Sequence, residues 1–221
     1  MLYLVSTPIG NLEDITLRAL RVLKEASLIA AEDTRHTRKL LTHFQIKNDI
    51  TSFNDLNKEY RSRQLVELMK QGKDIALVSD AGTPGISDPG FYLTRECVRN
   101  NIKIVPVPGA TAMISALVCS GLPTDRFTFY GFIPKKPGQK ESFLKDISSK
   151  EETVIFYESP YRILKTLEVM VKILPTHQIV IARELTKLFE EFVRGTPSEA
   201  LAHFEGKPVK GEFVVIVSGQ K

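Results

Sequence analysis

Short apolar runs of strand length alternate with helical patterns through the first half of the chain. Between the runs, apolar residues recur at helical spacing, as at Leu17, Leu20 and Leu23. Such alternation is typical of α/β proteins in which helices connect parallel strands. The pattern predicts strands at residues 2–6, 28–31, 75–78 and 102–107. It also predicts five helices: one capped by Asp14, one capped by Thr34, two at residues 61–70 and 91–99, and one that ends at Ser120.

The second half follows a break at Gly121-Leu122-Pro123-Thr124, where we place a domain boundary. Strands are predicted at residues 127–131, 153–157, 179–182, 190–194 and 212–217, and helices at 161–174 and 198–204. The late strands follow short turns, which indicates a mixed sheet. The sequence therefore predicts two α/β domains: residues 1–120 with a parallel sheet, and residues 121–221 with a mixed sheet.

Composition and charge change this picture only a little. The chain has 221 residues and a formal net charge of +4, which permits a phosphate-rich partner without requiring one. Its cysteines, Cys97 and Cys119, form no CxxC pair, which suits a reducing cytosol and argues against a zinc ribbon. No apolar run approaches the ~20 residues of a membrane helix, and the first residues lack a basic signal region. We expect a cytoplasmic protein.

Residues 79–90 form the most informative segment of the sequence. They directly follow the apolar run at 75–78 and contain three glycines, two prolines and five Ser, Thr or Asp residues. Glycine and proline at this density fix an irregular backbone that can approach a ligand closely. An elaborate turn is the alternative, but an ordinary connection needs only a few residues. We therefore expect a ligand-binding loop.

Two further loops are predicted at the same edge of the first sheet, at residues 7–11 and 106–112. In a parallel sheet, loops that follow strands emerge at one edge and can converge on one ligand. The chain contains neither GxxxxGK[ST] nor GxGxxG, which argues against a P-loop hydrolase and the usual dinucleotide site. A nucleoside without a polyphosphate fits these loops better.

Charged residues follow other predicted strands. Residues 32–35, Glu-Asp-Thr-Arg, either cap a helix, through Thr34 or Asp33, or form part of a site. Residues 157–160 and 182–187 indicate either the wall of a cleft or surface ion pairs. The lysine-rich segment from residue 134 to 150 is either a solvated face or a phosphate-binding surface. The four histidines show no metal-ligand spacing, and we predict no metal site.

Several of these motifs, taken together and in order, resemble a known family. They are Tyr3-Leu4-Val5-Ser6-Thr7-Pro8-Ile9-Gly10-Asn11-Leu12, Glu32-Asp33-Thr34-Arg35, residues 79–90, Ser120-Gly121-Leu122-Pro123-Thr124, Tyr157-Glu158-Ser159-Pro160, and residues 182–187 with Gly211-Glu212. The chain is similar to the small-subunit ribosomal RNA methyltransferase I family of bacteria, within the tetrapyrrole methylase superfamily. The resemblance extends from Leu2 to Val217.

The resemblance implies two α/β domains with S-adenosylmethionine in the cleft between them, a homodimer, and methyl transfer to the 2′-hydroxyl of a cytidine in the decoding region of 16S ribosomal RNA. The cofactor-binding residues that it implies are Pro8, Asp80, Gly82, Thr83, Ile86, Thr111, Ala112, Tyr157, Ala182 and Glu212. The RNA-binding residues that it implies are Arg35, Lys135, Lys136, Lys140, Arg183 and Lys187.

A ribose hydroxyl is a poor nucleophile at neutral pH, so a base near it would assist its attack. We predict Glu158 or Glu184 as this base, because both lie at predicted strand ends. Lys187 would complete the catalytic set by positioning phosphate together with Arg183.

The sequence departs from the family pattern at two places. Tyr161 stands where members often have histidine, which leaves the role of this position open, and many members continue into a C-terminal helical region whose absence would reduce RNA contacts. Two other functions stay open: a methyltransferase acting on a corrin-type tetrapyrrole, and a nucleotide-sensing module without catalysis.

Overall fold

The computed structural model describes residues 1–220 and divides into two compact units, one of Met1–Thr111 and one that begins at Ala112. The observed division between Thr111 and Ala112 therefore comes one helix earlier in the chain than the boundary expected after residue 120. Helix Ala112–Ser120 groups with the second unit because it packs on three strands of the second sheet.

The first unit is a parallel sheet, as predicted, with helices on both faces, but it has five strands because it includes β3, which was not among the four predicted strands. The strand order is β3-β2-β4-β1-β5. The strands are β1 Leu2–Val5, β2 Leu28–Ala31, β3 Ile50–Ser52, β4 Ile75–Val78 and β5 Ile104–Val107, and the helices are α1 Leu17–Glu25, α2 Thr34–His43, α3 Lys58–Lys70 and α4 Gly90–Arg99.

The two faces of this sheet carry separate apolar clusters. One cluster packs α1 and α2 against the sheet through Val22, Leu23 and Leu41. The other packs α3 and α4 through Leu65, Met69 and Leu93. Because helices cover both faces, ligand access to this sheet is at the strand ends, where the loops lie.

The predicted cap of α1 was wrong by two residues, and of the two candidates for the cap of α2, Thr34 and Asp33, the structure has Asp33. Asp14 lies in a short 3₁₀ turn, Leu12–Asp14, and the hydroxyl of Thr16 caps α1 by accepting a hydrogen bond from the Ala19 amide at 3.0 Å. Asp33, not Thr34, caps α2, since its carboxylate accepts a hydrogen bond from the Arg35 amide at 2.8 Å.

The second unit contains the predicted mixed sheet, in the order β6-β7-β10-β8-β9. β6 and β7 are parallel, and the other neighbouring pairs are antiparallel. The strands are β6 Phe127–Phe132, β7 Thr153–Glu158, β8 Ile179–Arg183, β9 Glu191–Gly195 and β10 Phe213–Val217, and the helices are α5 Ala112–Ser120, α6 Pro137–Ile147, α7 Ile163–Ile173 and α8 Pro197–Phe204.

The two faces of the second sheet are covered by different helices. Helices α6, α7 and α8 pack on the face of Phe156, Ile181 and Val215. Helix α5 packs on the strands β7, β8 and β10 from the opposite face, and Arg194 of β9 donates to the carbonyls of Cys119 and Ser120 at its end. The positive charge of Arg194 also interacts favourably with the negative, C-terminal end of the α5 helix dipole.

Strand directions place the carboxyl ends of β6, β7 and β8 at the same edge as the amino ends of β9 and β10. Glu158, Phe213, Arg183 and Glu191 are in register along this edge. In the described part of the chain, no helix is long and apolar enough to cross a membrane. Within the same residues, no group of three or more His, Cys, Asp or Glu side chains is arranged to hold a metal ion.

Candidate functional site

Three loops of the first unit converge at the carboxyl edge of its sheet. The Thr7 amide donates to the Gly82 carbonyl at 2.9 Å, and the Gly82 amide donates to the Thr7 carbonyl at 3.1 Å. The hydroxyl of Thr83 lies 2.9 Å from that of Ser6 and 2.7 Å from that of Thr111. Thr83 therefore joins the loops that follow β1, β4 and β5.

The loop at residues 79–90 is held in shape by its own side chains. The Asp88 carboxylate accepts hydrogen bonds from the amides of Gly85 at 2.9 Å and Gly90 at 2.7 Å. The Ile86 amide donates to the Thr83 carbonyl at 3.3 Å. These bonds fix the glycine-rich backbone before any ligand binds, which lowers the entropy cost of binding.

Acidic residues connect the ends of β2 and β4. The Asp33 amide donates to the Asp80 carboxylate at 2.9 Å, and the Asp80 amide donates to the Glu32 carboxylate at 3.3 Å. Burial raises the pKa of Glu32, and the nearby charges of Asp80 and Asp88 raise it further, although the hydrogen bond from Asp80 lowers it. Folding therefore favours the protonated form of Glu32.

Arg35 lies on the exposed surface beside this edge. Its guanidinium forms an ion pair with Asp33 at 2.7 Å. The hydrogen bonds that Arg35 donates hold the pKa of Asp33 well below its usual range. Residues 32–35 therefore support both interpretations, helix capping and part of a site, because Asp33 caps α2 while Arg35 presents a cation to solvent.

In the second unit, Tyr157, Val214 and Ala182 form a row across three neighbouring strands. Val214 of β10 is in register with Tyr157 of β7 and with Ala182 of β8, so the three side chains share the face on which α5 packs. The Tyr157 hydroxyl forms a hydrogen bond with the backbone of Met113, next to Ala112 in the first turn of α5. Burial raises the pKa of Tyr157.

Val214 and Met113, which lie next to Tyr157, were not among the predicted site residues. The strand predicted at 212–217 already placed Val214 on the same face as Glu212, two residues earlier, and that alternation was the available signal. Met113 had no such signal, because only the packing of α5 on the second sheet brings it near Tyr157.

Glu184, Lys187 and Glu212 form a second cluster at the same edge of this sheet. The Lys187 ammonium lies 2.8 Å from the Glu184 carboxylate and 3.3 Å from that of Glu212. The hydrogen bond from Lys187 lowers the pKa of Glu184. Burial alone would lower the pKa of Lys187, but the hydrogen bond to Glu184 and the charge of Glu212 outweigh it and raise that pKa. Lys187 is therefore a cation at neutral pH.

The backbone around this cluster is strained. Glu184 and Thr186 have φ angles of 51° and 65°, a region that residues other than glycine rarely adopt. Opposite them, Gly211 has a φ of 98°, and a Cβ atom there would lie 2.5 Å from the Glu184 Cγ atom. Only glycine at position 211 leaves room for the Glu184 side chain. Backbone strain of this kind is frequent at functional sites.

Glu158 lies in a buried polar network and is 1% exposed. Its carboxylate forms an ion pair with Arg162 at 2.6 Å and accepts hydrogen bonds from the Thr166 hydroxyl at 2.6 Å and the Ser159 amide at 2.8 Å. The Lys140 ammonium donates to the Thr166 hydroxyl at 2.7 Å and lies 3.8 Å from the Glu158 carboxylate. These partners occupy the carboxylate, so Glu158 is poorly placed to take a proton from a substrate.

The predicted RNA-binding residues occupy different environments. Arg35, Lys135 and Lys136 are exposed. Arg183 is half-buried and pairs with Glu191 at 2.9 Å. Lys140 is 6% exposed, so the expectation that it faces RNA does not fit its position. Burial lowers the pKa of Lys140, while the Glu158 charge opposes that change.

The chemistry of these groups fits a nucleoside cofactor. In the first unit the converging loops offer hydroxyl groups, backbone amides and carbonyls, and Pro8 and Ile86 are half-buried beside them. In the second unit the row of Tyr157, Val214 and Ala182 offers an apolar and aromatic surface. The loops at 7–11, 79–90 and 106–112 contain no lysine or arginine, which a polyphosphate would require.

Comparison with known proteins decides the family. The sequence model of the tetrapyrrole (corrin/porphyrin) methylases matches residues 1–201. The chain belongs to the tetrapyrrole methylase family. Within that family it groups with relatives named ribosomal RNA small subunit methyltransferase I, so the chain is a methyltransferase.

Two relatives illustrate the similarity. The ribosomal RNA small subunit methyltransferase I of Halalkalibacterium halodurans is 50% identical over 99% of this chain and 75% of its own length. That of Thermotoga maritima is 47% identical over 100% of this chain and 99% of its own length.

A solved structure shares the fold. The uroporphyrin-III C-methyltransferase of Thermus thermophilus, complexed with S-adenosylhomocysteine, has a TM-score of 0.65 and 20% identity, with 98% of this chain and 96% of that chain covered.

Proposed function

We propose that this methyltransferase uses S-adenosylmethionine to methylate the 2′-hydroxyl of a cytidine in the decoding region of 16S ribosomal RNA. The observation that carries the proposal is the similarity, at 50% and 47% identity over nearly the whole chain, to relatives named ribosomal RNA small subunit methyltransferase I. The exposed cations Arg35, Lys135 and Lys136 support an RNA substrate.

Each unit would contribute residues that contact the cofactor. In the first unit these are Pro8, Asp80, Gly82, Thr83, Ile86 and Thr111, which lie in or beside the converging loops. In the second unit they are Ala112, Tyr157, Ala182 and Glu212, with Val214 and Met113 added by their positions next to Tyr157. When bound, S-adenosylmethionine would supply a methyl group on a sulfonium, and the neutral thioether S-adenosylhomocysteine would be the leaving group.

The work left to the protein is to orient the ribose hydroxyl and to accept its proton. Glu184 is the better of the two predicted bases, because Glu158 is enclosed by Arg162, Thr166 and Lys140. Lys187 stays charged and holds the Glu184 carboxylate at 2.8 Å, so it orients the base and offers a cation to an RNA phosphate.

The role of Glu184 is tested by Glu184→Gln in single-turnover methylation of small ribosomal subunits. We expect the rate to fall by about 100-fold or more while cofactor binding is retained. Glu205→Gln, at an exposed position of the same unit, is the matched control and should leave the rate unchanged. A Glu184→Gln enzyme with the wild-type rate would remove Glu184 from the mechanism.

The substrate is tested by offering the enzyme labelled S-adenosylmethionine with either small ribosomal subunits or a corrin-type tetrapyrrole. We expect label in the RNA only, and subunit binding that weakens as salt rises from about 50 to 200 mM. Label in the tetrapyrrole would assign a small-molecule substrate instead. Transfer to neither acceptor, despite cofactor binding, would favour a sensing module.

We also propose that the protein acts as a cytoplasmic homodimer, as its resemblance to the family implies. Analytical ultracentrifugation should give twice the mass of one chain at micromolar concentration. A monomer at that concentration would contradict the proposal.

A further inference from the structure

A β-bulge in β6 reverses the direction of one aromatic side chain. Phe129 is in register with Ile155, but the next pairing is Phe132 with Tyr157, so β6 has one residue more than β7 between these pairs. Gly131, with a φ of 65°, lies within the bulge. Bulges re-aim side chains and are frequent beside active sites.

Strict alternation would place Phe132 on the face of Tyr130, whose ring packs against Phe143 at 5.1 Å at the margin of the apolar core. The bulge turns Phe132 to the opposite face, where its ring lies 5.5 Å from that of Tyr157. Ile133 enters the apolar core in its place and is 1% exposed, whereas Phe132 is 57% exposed. The chain thus leaves more than half of the larger apolar side chain in water, next to the row that contains Tyr157.

The backbone beside Phe132 is held firmly. The Ile133 amide donates to the Tyr157 carbonyl at 3.2 Å, and the Arg162 guanidinium donates to the Ile133 carbonyl at 3.5 Å. Arg162 is itself fixed by its ion pair with Glu158 at 2.6 Å. The exposed ring is therefore preorganised, which is what a stacking surface needs.

The charges that follow Phe132 indicate its partner. Lys135 and Lys136 are exposed, and neither forms an ion pair with any residue that the structure describes. Exposed aromatic rings next to cations are typical of single-stranded RNA recognition, in which the rings stack on bases and the cations contact phosphates.

We propose that Phe132 stacks on an unpaired base of the RNA substrate, and that Lys135 and Lys136 contact the adjacent phosphates. The inference rests on the proposed function, and it adds a residue that reads the substrate as single-stranded RNA. Stacking is tolerant of base identity, so Phe132 contributes affinity and orientation of the strand, not sequence discrimination.

The test compares Phe132→Leu, which keeps an apolar side chain without the aromatic face, with Phe132→Trp, which keeps a stacking ring. The measured quantity is the concentration of small ribosomal subunits at half-maximal single-turnover rate. We expect Phe132→Leu to raise it roughly 10-fold, and Phe132→Trp to keep it within about 2-fold of wild type, with cofactor affinity unchanged in both. Tyr60→Leu, at an exposed tyrosine of α3, is the matched control and should behave as wild type.

A half-saturating concentration for Phe132→Leu equal to that of wild type would overturn the inference while leaving the proposed function intact. A change in the sedimentation coefficient of Phe132→Leu would also overturn it, because Phe132 would then pack against a second copy. If the wild-type enzyme transfers no methyl group to the subunits, the proposed function fails and the inference fails with it.

Discussion

At the scale of single residues, burial decides what a carboxylate can do. The Glu158 carboxylate has partners in Arg162, Thr166 and the Ser159 amide, and it balances two cations in the interior, Arg162 and Lys140. Removing one partner of a buried ion pair is costly because the remaining charge stays uncompensated. Glu158 therefore holds the loop between β7 and α7 in place.

We accordingly expect Glu158→Ala to lower the free energy of unfolding by about 3–5 kcal/mol, as measured by urea denaturation. Glu168→Ala, at an exposed position of α7, is the control and should change it by less than about 0.5 kcal/mol. A Glu158→Ala protein as stable as wild type but unable to transfer methyl groups would restore Glu158 as the candidate base.

Glu32 gives a prediction for the dependence of stability on pH. Burial raises its pKa in the folded protein, so folding favours the protonated form. The stability linked to Glu32 is fully present below the pKa of the unfolded chain and is lost as pH rises through the folded pKa.

Glu32→Gln keeps an oxygen that can accept the hydrogen bond from the Asp80 amide but carries no charge. At pH 7 we expect this variant to be more stable than wild type by about 1 kcal/mol or less, and the difference should vanish at about pH 4. Urea midpoints at both pH values measure this. Lower stability of the variant at pH 7 would show that the ionised carboxylate is stabilising.

At the scale of elements, the turn before β10 and the loop after β8 fit together only because of Gly211. Gly211→Ala would combine a φ of 98° with a close contact to Glu184. Gly206→Ala is a matched control, because it has a φ of 74° and no neighbour within 4 Å of the added Cβ. Both variants suffer backbone strain, so their difference isolates the contact with Glu184.

We expect Gly206→Ala to cost about 1 kcal/mol of unfolding free energy. Gly211→Ala should cost more and should also slow methyl transfer, because it displaces Glu184. Thermal unfolding and single-turnover rates check the two effects. Equal losses of stability and equal rates for the two variants would show that Glu184 does not depend on Gly211.

Most elements of this fold are predictable from periodicity, and the exceptions have physical reasons. β3, Ile50–Ser52, is short and half-exposed, so it has no apolar run to mark it. α6 was hidden within the lysine-rich segment, where Pro137 marks the start of the helix, a position that proline tolerates. The bulge in β6 cannot be recognised from the alternation of apolar and polar residues, because it is defined by the register of β6 with β7.

At the scale of the whole molecule, topology made the main features of the candidate site predictable. Loops that follow parallel strands must meet at one edge, so the convergence of Thr7, Gly82, Thr83 and Thr111 followed from strand order alone. The burial of Lys140 and Glu158 could not be predicted, because a lysine in a polar segment and a glutamate at a strand end are usually exposed. Only tertiary packing encloses them.

The similarity to relatives also covers the whole described chain, and the Thermotoga maritima relative is matched over 99% of its own length. The family assignment thus applies to both units. Methylation of ribosomal RNA is the claim on which the roles of Glu184, Lys187 and Phe132 depend.

The most direct test is transfer of labelled methyl from S-adenosylmethionine to small ribosomal subunits from cells that lack this enzyme, followed by nuclease mapping of the label. We predict one labelled nucleotide, a cytidine of the decoding region methylated on its 2′-oxygen. Label on a base, label elsewhere in the RNA, or no label despite measurable cofactor binding would contradict the account.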